Sequence, residues 1–329
     1  MVQTSPALIK IAAAWLLGLM LAIAAAVIAI VVINNTVAGP QQPVRDYLQA
    51  LRDGDGSKAL GLLHAKVPRA NAAMLDGSAL KKSAERISDV KLGSPQQQPD
   101  GQSKVTVSYT IDGSQLSSDF FLQRTGTDWL FFSRWSMVPT TLPTLNVSVV
   151  NESQASLNGV PVSMPSGSNS FSVFYPGEFQ GSYEGTFFKA DPSRATVTGP
   201  QSPSEPLAIA TKATPALVQQ VDSRIHEFLD GCAKQQVLQP AGCPFYFSTN
   251  NRIIAPVQWS IAQYPKVTID PYNGKWVIAP LAGKAQLSTK QMDLFTGAVS
   301  DLKPLQNFNF TARLDVSGSA ITVTPVVDY

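Results

Sequence analysis

From Ile11 to Ile33 the chain runs without a charged residue and is mostly aliphatic. A helix of that length extends about 35 Å, enough to cross a hydrocarbon core of roughly 30 Å with modest tilt. The rest of the chain is then expected to lie on one side of a membrane. Two readings of the N-terminus compete. Thr36-Val37-Ala38 has the small residues of a signal-peptide cleavage site, with Lys10 as a basic flank. Signal h-regions are usually about 7–15 residues long, and this run is longer. The expectation adopted is an uncleaved transmembrane helix over 11–33, preceded by a short cytoplasmic tail over 1–10. Lys10, the one charged side chain before the run, favours a cytoplasmic N-terminus and a cell-membrane, single-pass topology. Both readings place the bulk of the chain outside the cytoplasm.

The part beyond the run is long enough for two to three domains. Lys and Arg number 25 against 23 Asp and Glu, and charged residues make up only 15%. No strongly basic face is required by such a balance, so nucleic acid is not expected as a partner. The 24 prolines and 22 glycines cluster between short apolar runs, as in turn-rich β proteins.

Cys232 and Cys243 are the only cysteines. In an oxidising compartment an even, closely spaced pair reads as a disulfide, and closing this loop contributes about 3 kcal/mol in a chain-entropy treatment. Free thiols are the alternative. Zinc lacks ligands, because His64 and His226 are the only histidines. No metal and no cofactor is expected.

Residues 34–43 read as a polar linker. Val44, Tyr47, Leu48 and Leu51 then repeat with helical spacing. Asp53-Gly54-Asp55-Gly56-Ser57 breaks that helix, and Asp55 or Ser57 can cap the next, through Leu60 and Leu63. A third helical stretch is expected from Ala70 to Ala84. Val105, Val107, Tyr109 and Ile111 alternate with polar residues as a strand. Asp112-Gly113 turns it into a second strand around Phe120 to Leu122, and Gly126 marks a turn before a strand over Trp129 to Phe132.

The stretches PVRDYLQALRDGDGSKALGLL and KVTVSYTIDGSQLSSDFFLQRTGTDWLFF resemble a nuclear-transport-factor-2-like domain. The residues that carry the likeness are Tyr47, Leu48, Ala50, Leu51, Gly54, Asp55, Ala59, Leu60, Asp112, Gly113 and Trp129. The resemblance implies a cone of helices wrapped by a curved sheet over 44–140.

Val138 to Asn146 reads as a Pro-punctuated joint. Five short strands follow, at 145–150, 155–162, 171–174, 181–188 and 196–197, with turns at Asn158-Gly159, Gly167 and Pro176-Gly177. They predict a small β-sandwich over 144–190, acting as a spacer. SLNGVPV and FYPGEFQGSYEG resemble small Ig-like or PEGA-type surface modules. Residues 191–213 read as the end of that module and a linker, with four prolines between Ala190 and Pro206.

Thr214-Pro215 starts a helix with Thr at N-cap and Pro at N1. Its expected buried face is Val218, Val221, Ile225, Phe228, Leu229 and Cys232, and the bond to Cys243 would staple the helix end to a strand around Phe245. Strands are then expected at 257–262, 266–269, 275–278, 283–288, 308–316 and 321–326, with a turn at Ser317-Gly318. Helix before meander repeats the first order, so 214–329 is expected to be a second cone-like α+β domain. The fold class is therefore α+β: one transmembrane helix, a cone-like domain, a small β-sandwich and a second cone-like domain. That order resembles the extracytoplasmic part of the teicoplanin-resistance-associated membrane protein family of Gram-positive envelopes.

No catalytic set emerges. Asp53 to Ser57 begins like a calcium loop but has Lys58 where glycine is needed and His64 where glutamate is needed. Gly181-Ser182-Tyr183-Glu184-Gly185 does not have the nucleophile-elbow spacing. His64 ends a helix and reads as a partner of its dipole, while His226 reads as solvated among Arg224, Glu227 and Asp230. Glu178 and Glu184 read as solvated surface carboxylates. Trp129, Trp135, Trp259 and Trp276, with Tyr264 and Tyr272, read as core, with a ligand groove as the alternative. Asn34, Asn146, Asn151 and Asn309 lie in glycosylation sequons. The expectation is a non-enzymatic binding or scaffold protein of a bacterial cell envelope, with an envelope protein or the cell wall as partner. A ligand sensor, holding a small molecule, lipid or cell-wall fragment in a cone, is the second reading, and an envelope hydrolase the third. A packed cone interior favours the scaffold, and an open polar pocket favours the sensor.

Overall fold

The computed structural model describes residues 6–36, 39–128, 132–201, 206–318 and 320–327. Among them the chain is α+β, mostly strand, with five α-helices and curled sheets. Helix α1 (Pro6–Thr36) includes the apolar run. Its window Ala13–Ile30 has a mean hydropathy of 2.6 and none of it is buried, with Trp15 and Met20 turned outward. Length and apolarity suffice to span a membrane.

Helix α2 (Gln41–Asp53) begins before the linker expected over 34–43 has ended, and α1 runs into its start. Pro43 lies in the first turn of α2, where a backbone N–H has no intrahelical partner to lose. Its buried face is Val44, Tyr47, Leu48, Ala50 and Leu51, and Gly54 ends it in the left-handed region at φ 76°. Helix α3 (Gly56–Leu63) is capped by Asp55, whose Oδ1 accepts from the Lys58 N–H at 2.9 Å. The helix expected from Ala70 forms only over α4 (Gly77–Glu85). The preceding segment is pulled across the start of α3 instead. There Asp76 Oδ1 accepts from the Gly56 N–H at 2.9 Å, and a Cβ on Gly56 would stand 1.8 Å from the Leu75 carbonyl oxygen.

An antiparallel sheet follows, with strands Ser88–Leu92, Ser103–Ile111, Ser114–Asp128 and Phe132–Met137 in that order. Asp112 and Gly113, both with positive φ, make its two-residue hairpin. Gly126 does not turn the chain. It sits at a register shift inside one long strand, a bulge that lets the sheet bend. The strand expected over Trp129 to Phe132 falls partly on residues 129–131, outside the described residues.

Residues 144–213 form two further sheets. Three strands, Leu207–Ile209, Thr144–Val149 and Ser168–Ser172, face five: Lys212–Ala213, Phe188–Val197, Gly177–Glu184, Gln154–Leu157 and Val160–Ser163. The sheets meet where Gly181 leaves room for Leu207 and Ile209, whose side chains would come within 2.8 Å (Ile209) and 3.1 Å (Leu207) of an added Cβ. The linker expected after residue 190 is thus largely strand. Pro192 is tolerated because the pairing shifts register opposite it, so no ladder hydrogen bond is lost.

The first sheet, its helices and these two sheets share one hydrophobic core, so residues 144–190 are not a separate spacer. Tyr47 meets the rings of Phe120 at 5.6 Å and Phe174 at 6.2 Å, and Tyr175 stacks on Phe120 at 5.6 Å. The Tyr47 hydroxyl donates to the Tyr175 carbonyl at 2.6 Å, and the Asn158 amide donates to the Ala79 carbonyl at 3.0 Å. Alternating apolar residues on both sides of the Pro-rich joint face each other, and merging them removes more apolar area from water than two small cores would.

The remaining chain builds a second core. Helix α5 (Pro215–Ala233) is capped by Thr214, whose hydroxyl accepts from the Leu217 N–H at 3.3 Å. Leu217, Val221, Ile225, Leu229 and Cys232 are buried, while Val218 and Phe228 are only partly so. The helix packs against a curled sheet centred on strand Leu281–Met292, which pairs with Leu305–Ser317 and Gln258–Gln263. Cys232 and Cys243 are joined, with Cα atoms 5.7 Å apart. Phe245 is not in a strand. It lies in an irregular segment, buried between the rings of Trp259 and Phe308. The strand expected over 266–269 forms instead at Ile269–Tyr272, because the Asn273-Gly274 hairpin sets the register with Lys275–Ile278.

Candidate functional site

The interior of the first curled sheet is the natural place for a ligand, and side chains fill it. Tyr47, Tyr109, Leu122 and Met137 are essentially inaccessible, and Phe174 and Tyr175 enter from the connection between strands Ser168–Ser172 and Gly177–Glu184. Burial, followed by the neighbouring Tyr175, holds the Tyr47 phenol well above its ordinary pKa, so it remains a donor to the Tyr175 carbonyl. A groove of about 740 Å³ lies outside this plug, along Phe121, Val138, Tyr175 and Pro200.

A more polar cleft of about 650 Å³ opens where the two cores meet. One wall is Asn151 and Glu152, just after strand Thr144–Val149, together with Tyr183 near the end of its strand. The opposite wall is Lys275 and Trp276 on the Asn-Gly hairpin, and Leu314 to Val316 complete it. The Tyr183 hydroxyl donates to Glu152 Oε2 at 2.9 Å. Burial raises the Glu152 carboxyl above its usual range, and burial plus the bond to Glu152 pushes the Tyr183 phenol up to about 12. The Asn151 amide bridges the walls by donating to the Lys275 carbonyl at 3.0 Å. Trp276 stacks on Phe188 at 4.3 Å with the rings 11° from parallel. Phe187 and Phe188, at the start of strand Phe188–Val197, are themselves buried in the second core and pin the two walls together. The Trp276 indole N–H is buried without a hydrogen-bond partner, a rarity in folded proteins.

The aromatic set singled out in sequence therefore splits. Trp259 is core and donates to the Val237 carbonyl at 2.9 Å, Trp135 packs at the edge of the first core, and Tyr272 is exposed. Trp276 is the member that reaches the cleft. Trp129 lies outside the described residues. Glu152 and Tyr183 carried no pattern in sequence, since only the packing of a loop against a strand 31 residues further on makes them a pair.

Glu178 is not a solvated carboxylate. It is 4% exposed, with Arg86 at 3.3 Å and Arg194 at 3.4 Å, and both guanidiniums also approach Asp112. The cluster ties the end of α4 and the first hairpin to the adjoining sheet. Its carboxyl is raised above the ordinary 4.5, first by burial and then by Asp112, which together outweigh the two arginines. Such a group contributes stability that is present below the unfolded value and lost as pH climbs through the folded one. Glu178→Gln should therefore match the parent near pH 4 and gain on it towards pH 7, as read by urea unfolding at both values. A parent that gains on the variant with rising pH would mean that the guanidiniums prevail. Glu184, by contrast, is exposed.

His226 is less solvated than its sequence neighbours suggest. It stacks on Tyr264 at 3.8 Å and lies 3.6 Å from Asp222, while the Tyr264 hydroxyl donates to Asp230. His64 adopts the left-handed conformation that ends α3, and its Nε2 is 2.7 Å from the Ser136 hydroxyl. That pair is exposed, and among the described residues no carboxylate bonds the imidazole, so the orienting group of a triad is not in place. No cluster of three or more metal-ligating side chains occurs among the described residues. The segment Asp53 to Ser57 is the junction between α2 and α3. No family model, curated protein or solved structure matches the chain.

Proposed function

We propose that the protein is a membrane-anchored, extracytoplasmic, non-enzymatic binding or scaffold protein of a bacterial cell envelope. In this reading α1 is a single-pass anchor with its N-terminus in the cytoplasm. Residues 44–140 form a cone-like, nuclear-transport-factor-2-like unit, the two sheets after it a small β-sandwich, and 214–329 a second cone-like unit. That order resembles the extracytoplasmic part of the teicoplanin-resistance-associated membrane protein family.

The observation that carries the reading is the filled first interior. Tyr47, Phe120, Phe174 and Tyr175 occupy the space that a small-molecule site in that cone would need. A rigid body of this kind presents surfaces rather than a chamber. The disulfide is in keeping with an oxidising compartment, and α1 with an anchor. The cleft between the two cores favours a second reading, in which the protein senses a ligand held there and not in a cone.

A membrane-impermeant cross-linker applied to intact cells tests sidedness and partnership together. The expected result is covalent capture of the protein with an envelope component. Failure of the reagent to reach the protein until the cells are lysed would place its bulk inside and end the proposal.

A further inference from the structure

We infer that the cleft between the two cores is a binding site for a neutral glycan. The inference rests on the reading of the protein as one that binds an envelope component, and it names the chemistry of that component. Three observations lead to it.

The first is the spread of charge. Glu152 and Asp315 stand against Lys275, two carboxylates and one ammonium around a cleft of about 650 Å³. A strongly anionic ligand would meet two carboxylates, and a strongly cationic one would meet the lysine. A neutral ligand meets neither conflict.

The second is the mixture of donors and acceptors. Glu152 is held in place by the Tyr183 hydroxyl at 2.9 Å, which leaves its carboxylate with further acceptor capacity. Lys275, in the opposite wall, supplies ammonium donors. Sugar hydroxyls both donate and accept. One ligand hydroxyl can donate to the carboxylate while another accepts from the ammonium.

The third is the apolar slab. Trp276 on Phe188, with rings nearly parallel, is flanked by Leu314 and Val316. An aromatic surface of that kind suits the C–H face of a sugar ring, while the polar groups around it fix orientation. The same wall is rigid, because Phe188 is anchored in the second core and Asn151 bonds across to Lys275. Preorganisation limits the ordering cost of binding.

The test is titration of the purified full chain in nanodiscs with chitotetraose, maltohexaose and cellohexaose, read by tryptophan fluorescence and calorimetry. Saturable binding of at least one of them is expected, with roughly tenfold weaker binding in Glu152→Gln and in Trp276→Leu. Glu152→Gln keeps the shape of the side chain, so it serves if the tryptophan variant fails to fold. No saturable binding by any of the three would overturn the site, as would unchanged affinity in both variants. Equal or tighter binding of a heparin-derived oligosaccharide or a chitosan oligomer would overturn the neutral class. This readout is independent of cross-linking in cells. Glycan binding without cellular capture removes the envelope reading alone, and capture without glycan binding removes the glycan alone.

Discussion

Replacing Tyr47 by alanine is expected to destabilise the first core by about 4 kcal/mol, the usual cost of emptying a buried aromatic site. The ring is wholly inaccessible and touches Phe120 and Phe174, so no solvent can reach the cavity and the neighbours can collapse only in part. Tyr47→Phe keeps the ring and removes only the bond to the Tyr175 carbonyl, so it should cost about 1 kcal/mol. The larger claim is about cooperativity. Because α2, the first sheet and the sheets after it share one core, Tyr47→Ala should raise hydrogen exchange in strand Gly177–Glu184 together with that in strand Ser103–Ile111. Faster exchange in the first sheet alone would show two independent cores.

Removing the disulfide, by Cys232→Ala with Cys243→Ala, is expected to cost about 3 kcal/mol, from the sequence separation of 11 and loop-closure entropy. The effect should be concentrated in the second core. Cys232 ends the buried face of α5, and the loop it closes holds the Val237 carbonyl that accepts from Trp259. Within that loop Gln235 also bonds Ala241 through both ends of its amide, at 2.8 Å and 3.1 Å. These contacts remain after mutation, so the native fold persists while its unfolded state gains freedom. Thermal unfolding followed separately for the two cores checks this. A fall in the midpoint of the first core equal to that of the second would contradict it.

Local signals in the sequence located most elements. The Asp112-Gly113 and Asn158-Gly159 turns need positive φ and small or hydrogen-bonding side chains, and both hairpins form there. Thr214-Pro215 specifies a helix start through chemistry confined to one turn, and the helix begins at Pro215. The errors arise where a distant contact overrides a local preference. Residues 70–76 are apolar enough for a helix, yet Asp76 serves the N-terminus of α3 instead. Pro192 looks like a linker residue until a bulge in its own strand, where residues 191 and 192 stand opposite Ser182 alone, accommodates it. Glu178 looks like any surface carboxylate until Arg86 and Arg194, far apart in sequence, close over it.

The sequence by itself determined the apolar helix at the N-terminus, the neutral charge balance, the cysteine pair and the alternation of α and β segments. Each of these depends on composition or on residues within a few positions of one another. Only the tertiary structure decided that the middle sheets join the first core, that Phe174 and Tyr175 fill it, and that Glu152, Tyr183 and Trp276 line one cleft. Burial and long-range pairing are properties of surfaces that meet in space. The chain carries the residues for them in separate segments, and folding alone brings those segments into contact.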